Sequence, residues 1–142
     1  MKKIYPCIWF DDKAKVAAEF YCSIFESGKI LEETPIVVTF ELFGQKFMGL
    51  NGGPRFVPNE AVSFVVDCET QEEVDFYWNS LSAGGEESMC GWLKDKFGVW
   101  WQIVPTILPE LLNDPEKGEK VANEMFKMQK LDIQKLLNAF QG

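Results

Sequence analysis

Residues 90–105, CGWLKDKFGVWWQIVP, gather side chains able to do chemistry or hold a ligand. Cys90 offers a thiol, Gln102 a neutral amide that both donates and accepts, and Trp92, Trp100 and Trp101 offer flat π surfaces. A nucleophilic Cys90 would need a cation or a helix N-terminus to depress its pKa. Lys94 and Lys96 are close in sequence, but no His or Asn/Asp partner completes a triad, so a structural thiol is the simpler reading. The chain has no histidine, which removes the commonest general base and the commonest metal ligand. Acid–base work would fall to Asp, Glu, Lys, Tyr or Cys. The four cysteines, Cys7, Cys22, Cys68 and Cys90, form no CxxC pair and sit in apolar contexts. They read as buried free thiols of a reducing compartment.

Composition narrows the partners. The 142 residues carry a formal charge of -8, which argues against nucleic acid, whose phosphates need clustered Lys and Arg. The same charge argues against an anionic membrane surface. No apolar run approaches the roughly 20 residues of a membrane span. The opening MKKIYPCIWF has two lysines but too short an apolar stretch, broken at Asp11-Asp12, to be a signal peptide. It reads as a first strand, and the protein as cytoplasmic. With 46% hydrophobic residues, one domain over residues 1–142 can build a core without staples.

The elements that must position the 90–105 stretch come from an internal repeat. A shift of 56 residues places Asp11 on Asp67, Phe20 on Phe76, Tyr21 on Tyr77 and Gly28 on Gly84. Each copy reads as a strand, a helix and a Gly-marked exit. In the second copy Val74, Tyr77, Trp78 and Leu81 follow the helical stripe, and Thr70 with Glu73 forms a capping box. In the first copy Asp11 or Asp12 is placed to cap, ahead of a stripe of Ala14, Ala17, Ala18, Tyr21 and Phe25. Val37–Leu42, Gly44 and Phe47–Leu50 read as a hairpin, as do Trp92–Lys96, Gly98 and Val99–Val104. Here the shift is 54, which sets Met48 on Gln102. A weaker second strand lies at Lys29–Glu33 in one copy and about Glu86–Met89 in the other. The chain is therefore an α+β protein of two βαβββ modules, residues 1–57 and 58–106, with a C-terminal helical tail over 107–142.

Two modules with a helix on one sheet face each leave the other face to enclose a cleft, where a ligand is expected. Strand alternation puts Trp100, Gln102 and Val104 on one face of the last strand and Trp101 and Ile103 on the other. In the tail, Asp114-Pro115 reads as a helix start ahead of Val121, Glu124, Met125 and Met128. Asp132 precedes a second stripe of Ile133, Leu136, Leu137 and Phe140.

The segments PCIWFDDKAKVAAEFYCSIF, FELFGQKFMGLNGGP, AVSFVVDCETQEEVDFYWNSL and CGWLKDKFGVWWQIVP, with the tail MFKMQKLDIQKL, resemble the PhnB-like branch of the glyoxalase/bleomycin resistance/vicinal oxygen chelate superfamily. Members of the branch are labelled 3-demethylubiquinone-9 3-methyltransferase-like. The resemblance covers nearly the whole chain. It implies paired βαβββ modules of the glyoxalase/bleomycin resistance/dihydroxybiphenyl dioxygenase type, and a homodimer. It also implies a cleft-facing set of four metal-ligand positions, which the repeat carries approximately onto Tyr5, Met48, Ala61 and Gln102. Of these only Gln102 bears a suitable donor, and a single amide oxygen does not make a metal site. Neither metal nor organic cofactor is therefore expected. Methyl transfer is not expected either, because the strand-to-helix turns FDDK and DCET lack the glycines of a cofactor-binding loop. Relatives carry a longer loop where this chain has Glu32-Glu33-Thr34-Pro35, and a small residue where this chain has Trp100, which should narrow the cleft.

The candidate ligand-binding residues are Cys7, Trp9, Met48, Asn51, Ser63, Cys90, Trp92, Trp100 and Gln102; no catalytic residue is assigned. Three functions are compatible with this set. One is a metal-free protein binding a small apolar or aromatic molecule. The others are a metal-independent lyase, isomerase or transferase, and a structural dimer whose cleft is filled by Trp9 and Trp100.

Overall fold

The chain divides into two compact units, Met1–Asn59 and Glu60–Gly142, and the computed structural model describes residues 3–142. In the first unit the elements run β1 (Cys7–Phe10), α1 (Ala14–Ile24), β2 (Lys29–Glu33), β3 (Val37–Leu42) and β4 (Gln45–Asn51). They build a four-stranded sheet in the order β1-β4-β3-β2, with β1 parallel to β4 and the hairpins antiparallel. The β3–β4 turn is Phe43-Gly44, both at positive φ (49° and 77°). That two-residue geometry matches the right-handed twist of the strands, and glycine supplies one of its positive φ values without strain. Ala14, Ala17, Ala18 and Tyr21 of α1 are fully buried. The three alanines bring the helix close to the sheet, where a Cβ added at Gly49 would lie 3.1 Å from Ala14 Cβ.

The start of α1 corrects one expectation. Neither Asp11 nor Asp12 caps it. Asn51, at the end of β4, does so from across the unit: its Oδ1 accepts from Ala14 N at 2.9 Å and its Nδ2 donates to Pro35 O at 3.1 Å. Asp12 instead takes a left-handed conformation, φ 58°, which turns the chain out of the strand.

The second unit repeats the plan with β5 (Ser63–Cys68), α2 (Gln71–Ser82), β6 (Glu86–Glu87), β7 (Trp92–Lys94) and β8 (Trp100–Pro105), ordered β5-β8-β7-β6. In α2 the stripe Val74, Tyr77, Trp78 and Leu81 is buried as the periodicity requires. Thr70 Oγ1 accepts from Glu73 N at 3.1 Å. The return half of the capping box is displaced by one residue, since Glu73 Oε1 accepts from Glu69 N at 2.9 Å. The edge strand β6 is shorter than Glu86–Met89, because only Glu86 and Glu87 pair with β7.

The second hairpin also differs from expectation. Its strands stop at Lys94 and resume at Trp100, leaving a five-residue connection built on Asp95. Asp95 is 2% exposed. Its Oδ1 accepts from Phe97 N (2.8 Å) and Val99 N (3.0 Å), and its Oδ2 from the Trp101 indole N–H (2.9 Å). A buried carboxylate accepting three N–H groups is compensated for its desolvation.

The repeat register differs as well. In the first sheet Cys7 pairs with Met48; in the second, Ser63 pairs with Trp100 and Val65 with Gln102. The shifts read from the sequence would have paired Ser63 with Gln102, so the alignment is off by two residues. An offset of two keeps every side chain on its expected face.

After β8 come α3 (Leu108–Leu112), α4 (Gly118–Met125) and α5 (Ile133–Gln141). Asp114-Pro115 opens a turn rather than a helix: Asp114 Oδ1 accepts from Glu116 N and Lys117 N, and α4 begins only at Gly118. Asp132 does cap α5, accepting from Lys135 N at 3.0 Å. Leu108, Leu111, Val121, Met128, Leu131 and Leu136 close a core of their own. Backbone bonds from Cys90 N to Met128 O (2.7 Å) and Gly91 N to Gln129 O (2.8 Å) tie the tail to the turn entering β7. No helix among the described residues is long and apolar enough to cross a membrane.

Candidate functional site

In each unit the helix covers one face of the sheet. On β8, Trp101 and Ile103 are 3% and 0% exposed on the side where α2 packs. Trp100, Gln102 and Val104 alternate with them and are only half-buried. Registers with the neighbouring strands complete this opposite face. Trp92 pairs with Gln102, Lys94 with Trp100, Ser63 with Trp100, and Val65 with Gln102. Ser63, Trp92, Trp100 and Gln102 of the candidate set are thereby brought together.

Their geometry is specific. The Trp92 and Trp100 rings meet edge to face, centroids 6.4 Å apart and planes at 62°, a favourable quadrupole arrangement. Gln102 Nε2 donates to Ser63 Oγ at 2.9 Å. The Lys94 ammonium sits 6.0 Å from the Trp100 ring centre and 3.3 Å from a Glu86 carboxylate oxygen, so its charge is already partnered. The face presents two indoles, one amide–hydroxyl pair and an internally neutralised ion pair. It can hold a flat or apolar molecule by stacking and one polar anchor, and it supplies no acid or base at its centre.

In the first unit Cys7, Trp9 and Met48 occupy the corresponding face, Cys7 beside Met48 and Trp9 beside Leu50. Trp9 is locked: its indole N–H donates to Gly53 O at 2.8 Å, and it meets Phe56 edge to face at 4.9 Å. Cys7 is exposed, a correction to four buried thiols, because the open face of β1 puts it there. Partial burial of its sulfur nonetheless pushes the thiol up from 9.0, so it is protonated at neutral pH. Cys68 is the buried one, its thiol raised to about 12 by burial and then by the Glu73 and Asp67 carboxylates. All four cysteines are free.

Two candidates stand apart from these faces. Asn51 spends its amide on Ala14 and Pro35, on the helix side of its sheet. Cys90 lies in the turn before β7 at φ 60°, its N–H bonded to the tail. Next to it Gly91 is obligatory: φ is 85°, and a Cβ would lie 2.8 Å from Ile103 O and 3.0 Å from Leu131 Cδ1.

The residues present do not fit a divalent metal. Tyr5 and Ala61 precede β1 and β5; the Tyr5 ring takes the Lys46 ammonium at 4.3 Å. Met48 offers a thioether and Gln102 a neutral amide engaged with Ser63. Among the described residues no three His, Cys, Asp or Glu side chains are grouped to hold a metal.

A separate groove of about 370 Å³ in the second unit is lined by Gln71, Asp75, Lys127, Lys130, Asp132 and Lys135 among others. Its polar groups hold the tail. Gln71 donates to Leu131 O (3.0 Å) and accepts from Ile133 N (2.8 Å), and Lys130 pairs with Asp75 at 2.9 Å. The hydrogen bond from Gln71, then Lys130, holds the Asp75 carboxyl below its ordinary value. The residue that sequence reasoning missed is Asp95. Its signal was present, since Asp95-Lys96-Phe97-Gly98 has Asp first and Gly fourth, as type I turns prefer.

Comparison with known proteins agrees with this architecture. A family model described as 3-demethylubiquinone-9 3-methyltransferase matches residues 2–104. A PhnB protein from Bacillus cereus is 32% identical, with a TM-score of 0.67 over 74% of this chain and 100% of that one. At 12% identity, a glyoxalase-related enzyme from Fulvimarina pelagi aligns over 76% of this chain and 91% of its own with a TM-score of 0.55. FosX, a fosfomycin resistance protein from Listeria monocytogenes solved with Mn(II) and sulfate, aligns over 78% and 97% at 17% identity with a TM-score of 0.58. The last two establish likeness of fold. A search of curated proteins gave no match.

Proposed function

Since the chain belongs to the 3-demethylubiquinone-9 3-methyltransferase family, the PhnB-like branch of the glyoxalase/bleomycin resistance superfamily, we propose that it binds a small, largely apolar or aromatic molecule without a metal. The observation that carries this reading is the open face of the second sheet. There Trp92 and Trp100 meet edge to face beside the Gln102–Ser63 pair, and no general base stands among them. Burying an aromatic ligand against two indoles is favourable in proportion to the apolar area removed from water. Methyl transfer has no support in the residues, because the turns from β1 to α1 (Asp11-Asp12-Lys13) and from β5 to α2 (Glu69-Thr70) contain no glycine to cradle a cofactor.

We place the protein in the cytoplasm as a homodimer. Val62 is 64% exposed, apolar surface of the kind a second copy covers. Light scattering tests that reading, and a monomer at micromolar concentration would end it. Binding is tested by titrating an aromatic and apolar panel while following tryptophan emission. Saturable quenching that is lost in Trp100→Ala is expected. A panel that leaves the emission unchanged would count against binding, and stoichiometric Ni, Zn, Mn or Fe in the purified protein against its metal-free state.

A further inference from the structure

The amide–hydroxyl pair says what polar group the ligand carries. Gln102 Nε2 donates to Ser63 Oγ at 2.9 Å. That bond uses one of the two amide hydrogens and one hydroxyl lone pair. Gln102 Oε1 is left able to accept, and the Ser63 hydroxyl hydrogen able to donate. If the amide is turned over, Ser63 donates to Oε1 instead; two amide hydrogens and both hydroxyl lone pairs are then left. Either orientation presents a free donor and a free acceptor side by side. No buried side-chain polar atom among the described residues lacks a partner, so Gln102 Oε1, which takes no part in the bond to Ser63, is open to solvent, and Ser63 and Gln102 are both only half-buried. Trp92 stands directly across from Gln102, and Trp100 directly beside Ser63.

Charge argues in the same direction. Lys94, whose ammonium lies over the Trp100 ring, is paired with Glu86, and the protein as a whole is at -8. An anionic ligand would meet no free cation among these contacts and would approach against the net field. A purely hydrocarbon ligand would leave the amide–hydroxyl pair desolvated without compensation, which is costly.

We infer that the Trp92–Trp100–Gln102–Ser63 face selects a planar aromatic molecule bearing a neutral group that both donates and accepts a hydrogen bond, a carboxamide or hydroxyl, and discriminates against carboxylates. This rests on the binding reading above and adds the polar specificity. The probes are 1-naphthamide, 2-naphthol, 2-naphthoate and 2-methylnaphthalene, titrated against the full chain by calorimetry or ligand-observed NMR. Naphthamide or naphthol is expected to bind about tenfold more tightly than naphthoate or methylnaphthalene, the worth of one to two net hydrogen bonds. The double variant Ser63→Ala/Gln102→Leu should reduce that preference to within about twofold while methylnaphthalene still binds. Equal binding of all four probes, or preference for naphthoate, on the wild-type protein overturns the inference and leaves apolar binding standing. A preference that survives in the double variant overturns it too. If no probe binds, methylnaphthalene included, the binding reading itself fails and this inference with it.

Discussion

Asp95 and Trp101 form a buried carboxylate–indole hydrogen bond, Oδ2 to Nε1 at 2.9 Å, that decides which way β8 faces. With Trp101 tied inward, alternation turns Trp100 and Gln102 to the open face. The remaining Asp95 oxygen holds the loop through Phe97 N and Val99 N. Asp95→Ala strands three N–H donors in a site that is 2% exposed, so a loss of roughly 2–4 kcal/mol in urea denaturation is expected. Asp95→Asn, which keeps the acceptor to the loop and sets an amide hydrogen against the indole, should lie between. A loss below about 0.5 kcal/mol for the alanine variant, the range of ordinary surface changes, would show that the carboxylate does not organise this loop.

Asn51 has the matching role in the first unit. Its amide closes the start of α1 at Ala14 N and reaches Pro35 O. Asn51→Ala should cost about 1–2 kcal/mol, the scale of a lost N-cap plus one unmet carbonyl. Asp11→Ala should stay within about 0.5 kcal/mol, because its carboxylate caps nothing. Urea midpoints of the two variants check the contrast, and equal losses would reverse the assignment.

These two residues mark where sequence reading stops. Helix stripes and strand alternation are local periodicities, so Val74–Leu81 and the inward Trp101 and Ile103 were readable directly. The Phe43-Gly44 turn was readable from Gly44, the residue that takes positive φ without strain. Asn51 to Ala14 is a side-chain bond across the unit, and nothing periodic announces it; two aspartates adjacent to the helix made the better local case. The two-residue error in the repeat came from treating the second hairpin as a copy of the first, when its paired strands are shorter: five residues separate Lys94 from its partner Trp100, against eight between Thr39 and Met48. The face assignments survived because an even offset preserves side-chain direction. The tail was readable where a cap precedes a stripe, at Asp132, and misread at Asp114-Pro115, whose side chain serves a turn instead.

Cys68 and Cys7 should separate by pH and by access. Folding raises the Cys68 thiol from 9.0 to about 12. Between those values the folded state keeps a proton that the unfolded chain has released. Stability therefore falls as pH rises through that window, and the contribution is fully present below it. The urea midpoint of the wild type should drop more steeply between pH 8.5 and 10.5 than that of Cys68→Ala. At pH 8 a thiol reagent should label exposed Cys7 in the native protein and Cys68 only after unfolding. Equal labelling rates would contradict the burial of Cys68.

The Trp9 indole fills the space that a side chain at Gly52 would need. A Cβ at Gly52 would fall well inside van der Waals distance of the Trp9 atoms Cε2 and Cζ2. The indole cannot swing aside freely, since its N–H is bonded to Gly53 O and its ring packs on Phe56. Gly52→Ala must then push Trp9 out of its place or shift the strand end, at a cost of roughly 1–3 kcal/mol typical of overpacking. The near-UV circular dichroism of the indoles should change with it. Truncating the obstacle removes the clash, so Gly52→Ala should cost little in a Trp9→Ala background. The coupling in that double-mutant cycle should be at least about 1 kcal/mol. Additive losses would mean that Gly52 is required by its backbone alone and that Trp9 is held by other contacts.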